Sequence, residues 1–329
     1  MKTLPHGLHQ FLQHSGWGDA QIYPIPGDAS FRRYFRILEY ERRAMLMYAP
    51  PPNEDPGPFL HVAHWLSDNS LRGPEIYASS PDDGWVLMED FGDSRVREWL
   101  DSHPSEEADI YRNAIDTLGQ LGTIPAGPFA HYDMPTYLRE AALFVEWYCP
   151  AVQLDVDEAA YFSAWEQALG PVIERQQKPV TVLRDYHSEN IMLLDPQHSQ
   201  YGEQGLIDFQ DALAGHPAYD LVSLLQDARR DVSPEMERMM LDYYLSQNDA
   251  GPDFEADYVR LGAQRNAKIV GIFVRLFKRD GKAGYLPMIP RVWDALERDL
   301  AHPQMEPVRQ WFDANIPPEI RQAGGGVIS

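Results

Sequence analysis

The sequence predicts an α+β protein in which strands come first and helices follow. Three observations carry that expectation. The first ninety residues hold short runs rich in β-branched and aromatic side chains, broken by Gly and Pro, such as Gln21-Ile22-Tyr23-Pro24-Ile25 and Trp85-Val86-Leu87-Met88. Beyond residue 100 the apolar side chains recur at helical spacing instead. Later, two short apolar runs, Leu183-Arg184-Asp185 and Gly205-Leu206-Ile207-Asp208, each end in a lone acid. A strand that ends in Asp and turns at once delivers its carboxylate to a rim.

Taken in order, residues 5–15 read as a short helix and 21–25 as a strand. Residues 27–37 read as a turn between strands. Only Gly27 there allows easy backbone approach. Arg32, Arg33 and Arg36 either add positive charge to that turn or are ordinary strand residues. Residues 43–49 form the next strand, and a helix spans about 58–69, with Phe59, Leu60, Val62, Trp65 and Leu66 and no Glu. Strands at 75–78 and 85–91 flank the turn Pro81-Asp82-Asp83-Gly84. Gly92 then frees the chain, so a boundary is expected at residue 91. Ser105, followed by Glu106 and Glu107, signals a helix start. Tyr137, Ala141, Phe144, Val145 and Tyr148 share one helical face, and 155–174 reads similarly, with Trp147 and Trp165 as core. Residues 254–280 read as one long helix with Ile269, Ile272, Phe273, Leu276 and Phe277 in a buried stripe. Its other faces carry Arg265, Lys268, Arg275, Lys278 and Arg279. In so acidic a chain that run is either a solvated face or a wall that prefers an anion.

The chain has 329 residues and 44% hydrophobic content, enough for a sizeable core. A net charge of −22 argues against a nucleic-acid partner, which calls for a basic face, and against an anionic membrane surface. Cys149 is the single cysteine, so no intrachain disulfide forms and a reducing cytoplasm is the expected location. Residues 1–6 lack the apolar core of a signal peptide, and no run approaches the roughly 18 apolar residues of a membrane span. No protein partner is expected.

The acids carry the chemistry. Asn190 follows Asp185 by five places, and Asp208 lies further on. Mg²⁺ takes carboxylate and amide oxygens and shares its shell with phosphates and water, which suits Asn190 and Asp208. Phosphoryl transfer asks the protein to position the donor, neutralise charge and orient a hydroxyl, and Asp185 is left to accept the hydroxyl proton. The blocks D-x-x-x-x-N, Ile207-Asp208-Phe209 and Gly215-His216-Pro217-Ala218-Tyr219-Asp220-Leu221, in that order, resemble the aminoglycoside phosphotransferase and choline kinase family of the protein-kinase-like fold.

That resemblance implies a bilobal protein. Residues 1–91 would be a small β-rich nucleotide-binding lobe ending in a hinge. Residues 92–329 would be a larger, mainly helical lobe for catalysis and the acceptor. It implies ATP and Mg²⁺, with Gly27, Ser30, Arg32 and Arg33 in the nucleotide loop and the backbone of Glu89 to Phe91 at the adenine. Asp220 would brace the catalytic loop, and His187 would touch phosphate or hold that loop. One departure stands out. The family's strand Lys is replaced by Met45 or Met47, and its partner Glu is absent from the following helix. An arginine from the 27–37 turn is the candidate replacement, since Arg suits bidentate phosphate contact. The wider match, including Ala49-Pro50-Pro51-Pro52 and residues 219–231, resembles the bacterial kinases of N-acetylmuramate and N-acetylglucosamine. These phosphorylate the anomeric hydroxyl to a sugar 1-phosphate in peptidoglycan recycling. In that reading Arg265 and Lys268 form the acceptor wall and meet the lactyl carboxylate of muramate. The alternatives are a kinase for an aminoglycoside or another small molecule, and a nucleotide-binding pseudokinase.

Overall fold

The structure, a computed structural model, describes residues 4–26, 31–194 and 203–328. The chain forms two compact units. Met1–Trp99 and Asn190–Asp211 make the first; Leu100–Glu189 and Ala212–Ser329 make the second. A single cut at residue 91 does not describe this division, because the chain returns to the first unit at Asn190.

The first unit is built on an antiparallel sheet of β1 (Gln21–Pro24), β2 (Arg33–Glu39), β3 (Arg42–Tyr48), β4 (Ile76–Ser80) and β5 (Trp85–Met88), in the order β1-β2-β3-β5-β4. Strand alternation sorts its two faces. Phe35, Ile37, Ala44, Leu46, Trp85 and Leu87 pack with Leu8, Leu12 and Trp17 from the helix Leu8–His14 and the turn after it. Each large side chain buried there contributes about 1.5–3 kcal/mol. The other face aligns Tyr34 with Met47 and Val86, and Arg36 with Met45 and Met88.

Strand β5 stops at Met88, short of the expected residue 91. Beyond it the acidic side chains of Glu89 and Asp90 turn to Arg72 and Arg36. The hairpin Ile191–Leu194 with Glu203–Leu206 explains the return of the chain. Leu193 N–H donates to Ser94 O (2.7 Å) and Leu206 N–H to Arg72 O (2.8 Å). A methyl group on Gly205 would lie 2.6 Å from Phe91 Cε2, so only glycine lets the ring seat. The helix Gly57–Asp68 buries Phe59, Leu60, Val62, Ala63 and Leu66, and Phe59 stacks on Phe209 at 5.0 Å.

The second unit is mainly helical, with one short pair of strands, Val180–Val182 and Leu213–Gly215. Its longest described helix is Phe254–Asp280, ended by Gly281 in the left-handed conformation (φ 70°). A methyl group on Gly271 would lie 2.3 Å from Leu143 O, so glycine lets this helix approach Met134–Leu143. The helix is buried on more than the expected stripe: Arg260, Gln264, Arg265 and Asn266 are buried with Ile269, Val270, Phe273 and Val274. Ile272, Leu276 and Phe277 are only half-buried.

Two local expectations are corrected. Ser105 does not head a helix; it lies inside the 3₁₀ turn Pro104–Glu106, and the helix is Glu107–Thr123. The helical stretch through Tyr137 and Tyr148 is interrupted by a π turn, Phe144–Tyr148. Pro150 lacks the N–H that an α-helix would donate to Glu146 O, so the regular ladder cannot continue there. Phe144 and Tyr148 instead join Tyr161, Trp293, Trp311 and Phe312 in one aromatic cluster. Cys149 is fully buried beside it, and burial pushes its thiol pKa up to about 12. Among the described residues no helix is long and apolar enough to cross a membrane.

Candidate active-site residues

In the second unit, the strand Val180–Val182 leads straight into Leu183, Arg184 and Asp185. The loop backbone is held from the helix Ala218–Leu225. Asp220, buried in that helix, accepts from Leu183 N–H (2.6 Å) and Arg184 N–H (2.8 Å). Ser223, one turn on, donates to Arg184 O (3.2 Å). Arg184 has φ 71°, a left-handed conformation that costs a non-glycine residue about 1–3 kcal/mol unless its surroundings hold it. Its guanidinium pairs with Glu140 and lies 5.8 Å from the Tyr132 ring centroid. Burial pushes the Asp220 carboxyl up to about 7, against the pull of the two amides and Arg265.

Asp185 is solvent-exposed; nearby atoms desolvate its carboxyl and raise it, but Lys268, His187, Arg265 and Arg184 together outweigh this, and the group lies below its ordinary value. A residue whose pKa is set by specific charges in this way is a functional candidate. Burial depresses His187 to about 4, so it is neutral at pH 7 and the fixed cations carry the effect there. Arg229 Nη1 lies 3.0 Å from His187 Nε2. A guanidinium can only donate, so Nε2 accepts and the imidazole proton sits on Nδ1. Asp227 accepts from Ser188 N–H (3.1 Å), Ser188 Oγ (2.5 Å) and Arg229 N–H (2.8 Å), and Arg229 Nε meets Glu189 at 3.0 Å.

Arg265 and Lys268 do not sit on a solvated face. Arg265 is buried and donates to Ser223 Oγ at 2.7 Å. Lys268 meets Glu140 Oε2 at 3.0 Å and Tyr219 Oη at 3.2 Å.

In the first unit, Asn190 Nδ2 and Asp208 Oδ2 are 3.4 Å apart, and Ile207 N–H donates to Asn190 O (3.1 Å). Asp208 is left-handed (φ 61°) and accepts from Gln210 Nε2 at 3.0 Å. An amide and a carboxylate side by side form the hard oxygen set that Mg²⁺ prefers. Among the described residues no group of three or more His, Cys, Asp or Glu is placed to hold a metal. A Mg²⁺ ion held by Asn190 and Asp208 would leave room in its shell for phosphate and water.

The remaining sequence candidates separate. Gly27 and Ser30 lie outside the described residues. Arg32 pairs with Glu54 (3.3 Å), and the Arg33 guanidinium lies 5.2 Å from the Phe35 ring centroid. Tyr34, the residue after Arg33, feels the Asp208 charge: burial first, then Asp208, raises its phenol, against Arg32. Glu89 is bound in a fork by Arg72 (2.5 and 2.6 Å), which lowers its carboxyl. Phe91 packs under the Arg72 guanidinium (4.9 Å) and against Gly205. Arg36, the cross-strand neighbour of Met45, is committed to acids: Asp90 at 2.6 and 3.1 Å and Asp93 at 2.9 Å.

Glu140, Ser223, Asp227 and Arg229 received no role from the sequence. Glu140 had a legible signal, a lone acid on an otherwise apolar helical face. The other three stand out only through what packs on them.

A family model described as "Phosphotransferase enzyme family" matches residues 21–258. An N-acetylmuramate/N-acetylglucosamine kinase from Caulobacter vibrioides is 34% identical over 95% of this chain and 96% of its own length. One of the same name from Pseudomonas aeruginosa is 35% identical over 89% of each. Among solved structures, an ADP-bound aminoglycoside phosphotransferase aligns with TM-score 0.61 at 14% identity, covering 93% of this chain and 99% of that one. A choline kinase from Streptococcus pneumoniae aligns with TM-score 0.65 at 11% identity, covering 89% of this chain and 100% of that one. At such identities the two structures show a shared α+β, protein-kinase-like fold.

Proposed function

The chain belongs to the phosphotransferase enzyme family, and from that premise we propose that it transfers the terminal phosphoryl group of ATP to the anomeric hydroxyl of N-acetylmuramate or N-acetylglucosamine. The observation that carries the sugar is similarity along most of the chain. Four kinases of that name are 31–35% identical over 82–95% of it. The aminoglycoside phosphotransferases with similar folds stand at 14–18% identity. Phosphorylation of the free sugar recovered from wall fragments, giving a sugar 1-phosphate and ADP, would fit peptidoglycan recycling.

In this reading Asp185 takes the proton of the anomeric hydroxyl. The freed oxygen forms the new bond to phosphorus as the bond to the ADP oxygen breaks. The cations around Asp185 keep it ionised and ready to accept. Asn190 and Asp208 would hold a magnesium ion, which would neutralise phosphate charge. The nucleotide side would rest on Arg32 and Arg33, with Gly27 and Ser30. The backbone from Glu89 to Phe91 meets the adenine. Arg36, held by Asp90 and Asp93, is the cross-strand partner of Met45, one of the two positions proposed to replace the strand lysine.

The test is ADP release from Mg-ATP with N-acetylmuramate, N-acetylglucosamine or kanamycin, followed by phosphorus NMR of the product. Turnover with a sugar and phosphate on the anomeric carbon is expected. Turnover with kanamycin alone would overturn the sugar assignment.

A further inference from the structure

Arg265 and Lys268 stand three residues apart on the helix Phe254–Asp280, so they share a face. Tyr219 and Ser223 stand four apart on the helix Ala218–Leu225 and receive them. Two short relays run from these cations to Arg184. Arg265 donates to Ser223 Oγ (2.7 Å), and Ser223 donates to Arg184 O (3.2 Å). Lys268 pairs with Glu140 Oε2 (3.0 Å), and Glu140 Oε1 takes the Arg184 guanidinium. One relay ends on the backbone of Arg184 and the other on its side chain. Arg184 is the left-handed residue directly before Asp185.

We propose that Arg265 and Lys268 are positioning residues: through Ser223 and Glu140 they hold Arg184 in its left-handed conformation and so aim the Asp185 carboxylate. This role differs from contact with the acceptor, and it rests on the kinase reading above. Every partner in both relays is buried or nearly so, with Glu140 8% and Lys268 12% exposed at the side chain, which leaves the pair little freedom to turn to a substrate. The same cations depress the Asp185 carboxyl, so loss of either relay both misdirects and discharges the surroundings of the base.

The test compares wild type with Lys268→Met, Lys268→Arg and Ser223→Ala. Each is assayed for kcat and KM on N-acetylmuramate and N-acetylglucosamine at saturating Mg-ATP. Small misplacement of a reacting group costs large factors in rate, so Lys268→Met should lose about ten- to a hundredfold in kcat on both sugars, with KM little changed. Lys268→Arg keeps the pair to Glu140 and should recover most of that loss. Ser223→Ala removes one hydroxyl and leaves Glu140 and Lys268 paired, and should show a smaller fall of the same kind. Hydrogen exchange at the Leu183 and Arg184 amides should quicken in both damaging variants. A rise in KM for N-acetylmuramate alone, with kcat intact, would overturn the proposal and restore the acceptor-wall role. Should wild type turn over neither sugar, the proposed function fails while amide exchange still decides the brace: unchanged exchange in Lys268→Met and Ser223→Ala overturns it.

Discussion

Arg184 and Asp208 are two of five described non-glycine residues with left-handed backbones, and both lie in the acid-bearing motifs. Strain of this kind persists only where the surroundings over-determine it. At Arg184 those surroundings are Asp220, Ser223 and Glu140. The acids at 185 and 208 are legible in the sequence because each ends an apolar run and turns. Their supports are not, because Ser223 and Glu140 act through distance in space rather than spacing in sequence. Asp185→Asn keeps the size of the side chain and removes the base, so turnover should fall by about 10²–10⁴, measured as sugar-dependent ADP release. His187 supplies a second prediction. Its folded pKa of about 4 lies below the ordinary histidine value, so the unfolded chain binds the extra proton. Stability is therefore full above about pH 6.5 and lost as pH falls toward 4, amounting to about 2 kcal/mol between pH 7 and 5. Asp227 and Asp185 pull the group up, and Arg229 and Arg265 hold it down. Urea unfolding at the two pH values should show that loss in wild type and a smaller one in His187→Gln.

Elements with one strong period are legible nearly to the residue. The long helix reads as 254–280 from sequence and spans Phe254–Asp280. Where the local signal competes with packing, the reading fails. Ser105 has the composition of a cap, yet Pro104 draws it into a 3₁₀ turn. The apolar period through Phe144 and Tyr148 is helical, yet Pro150 breaks the hydrogen-bond ladder behind it. The burial of Arg260, Gln264, Arg265 and Asn266 could not be read either, since polar side chains signal a solvated face unless partners on other helices are known. The hairpin carrying Asn190 owes its seat to one small residue. Gly205→Ala would press a methyl group into the Phe91 ring, and such overpacking typically costs about 1–3 kcal/mol. Thermal unfolding should show the loss, and adding Phe91→Leu, which shortens the opposing side chain, should return part of it.

Across the molecule, the acidic excess and the chemistry of the two motifs part company. The chain carries −22 overall, while Arg184, Arg265 and Lys268 gather around one carboxylate. Bulk charge excluded nucleic acid as an expectation but said nothing about where the few cations would collect. The order of strands and helices was legible; the division into units was not, because the return of Asn190–Asp211 depends on Phe91 finding Gly205 more than a hundred residues later. Such non-local pairing is what a linear reading misses. The single cysteine has a use that follows from its burial. Cys149 lies within the second unit, fully enclosed and held in its unreactive thiol form, and the first unit has no cysteine at all. A thiol reagent added to the unaltered chain therefore reacts only as fast as the second unit opens, which makes its labelling half-life a clock for that unit alone.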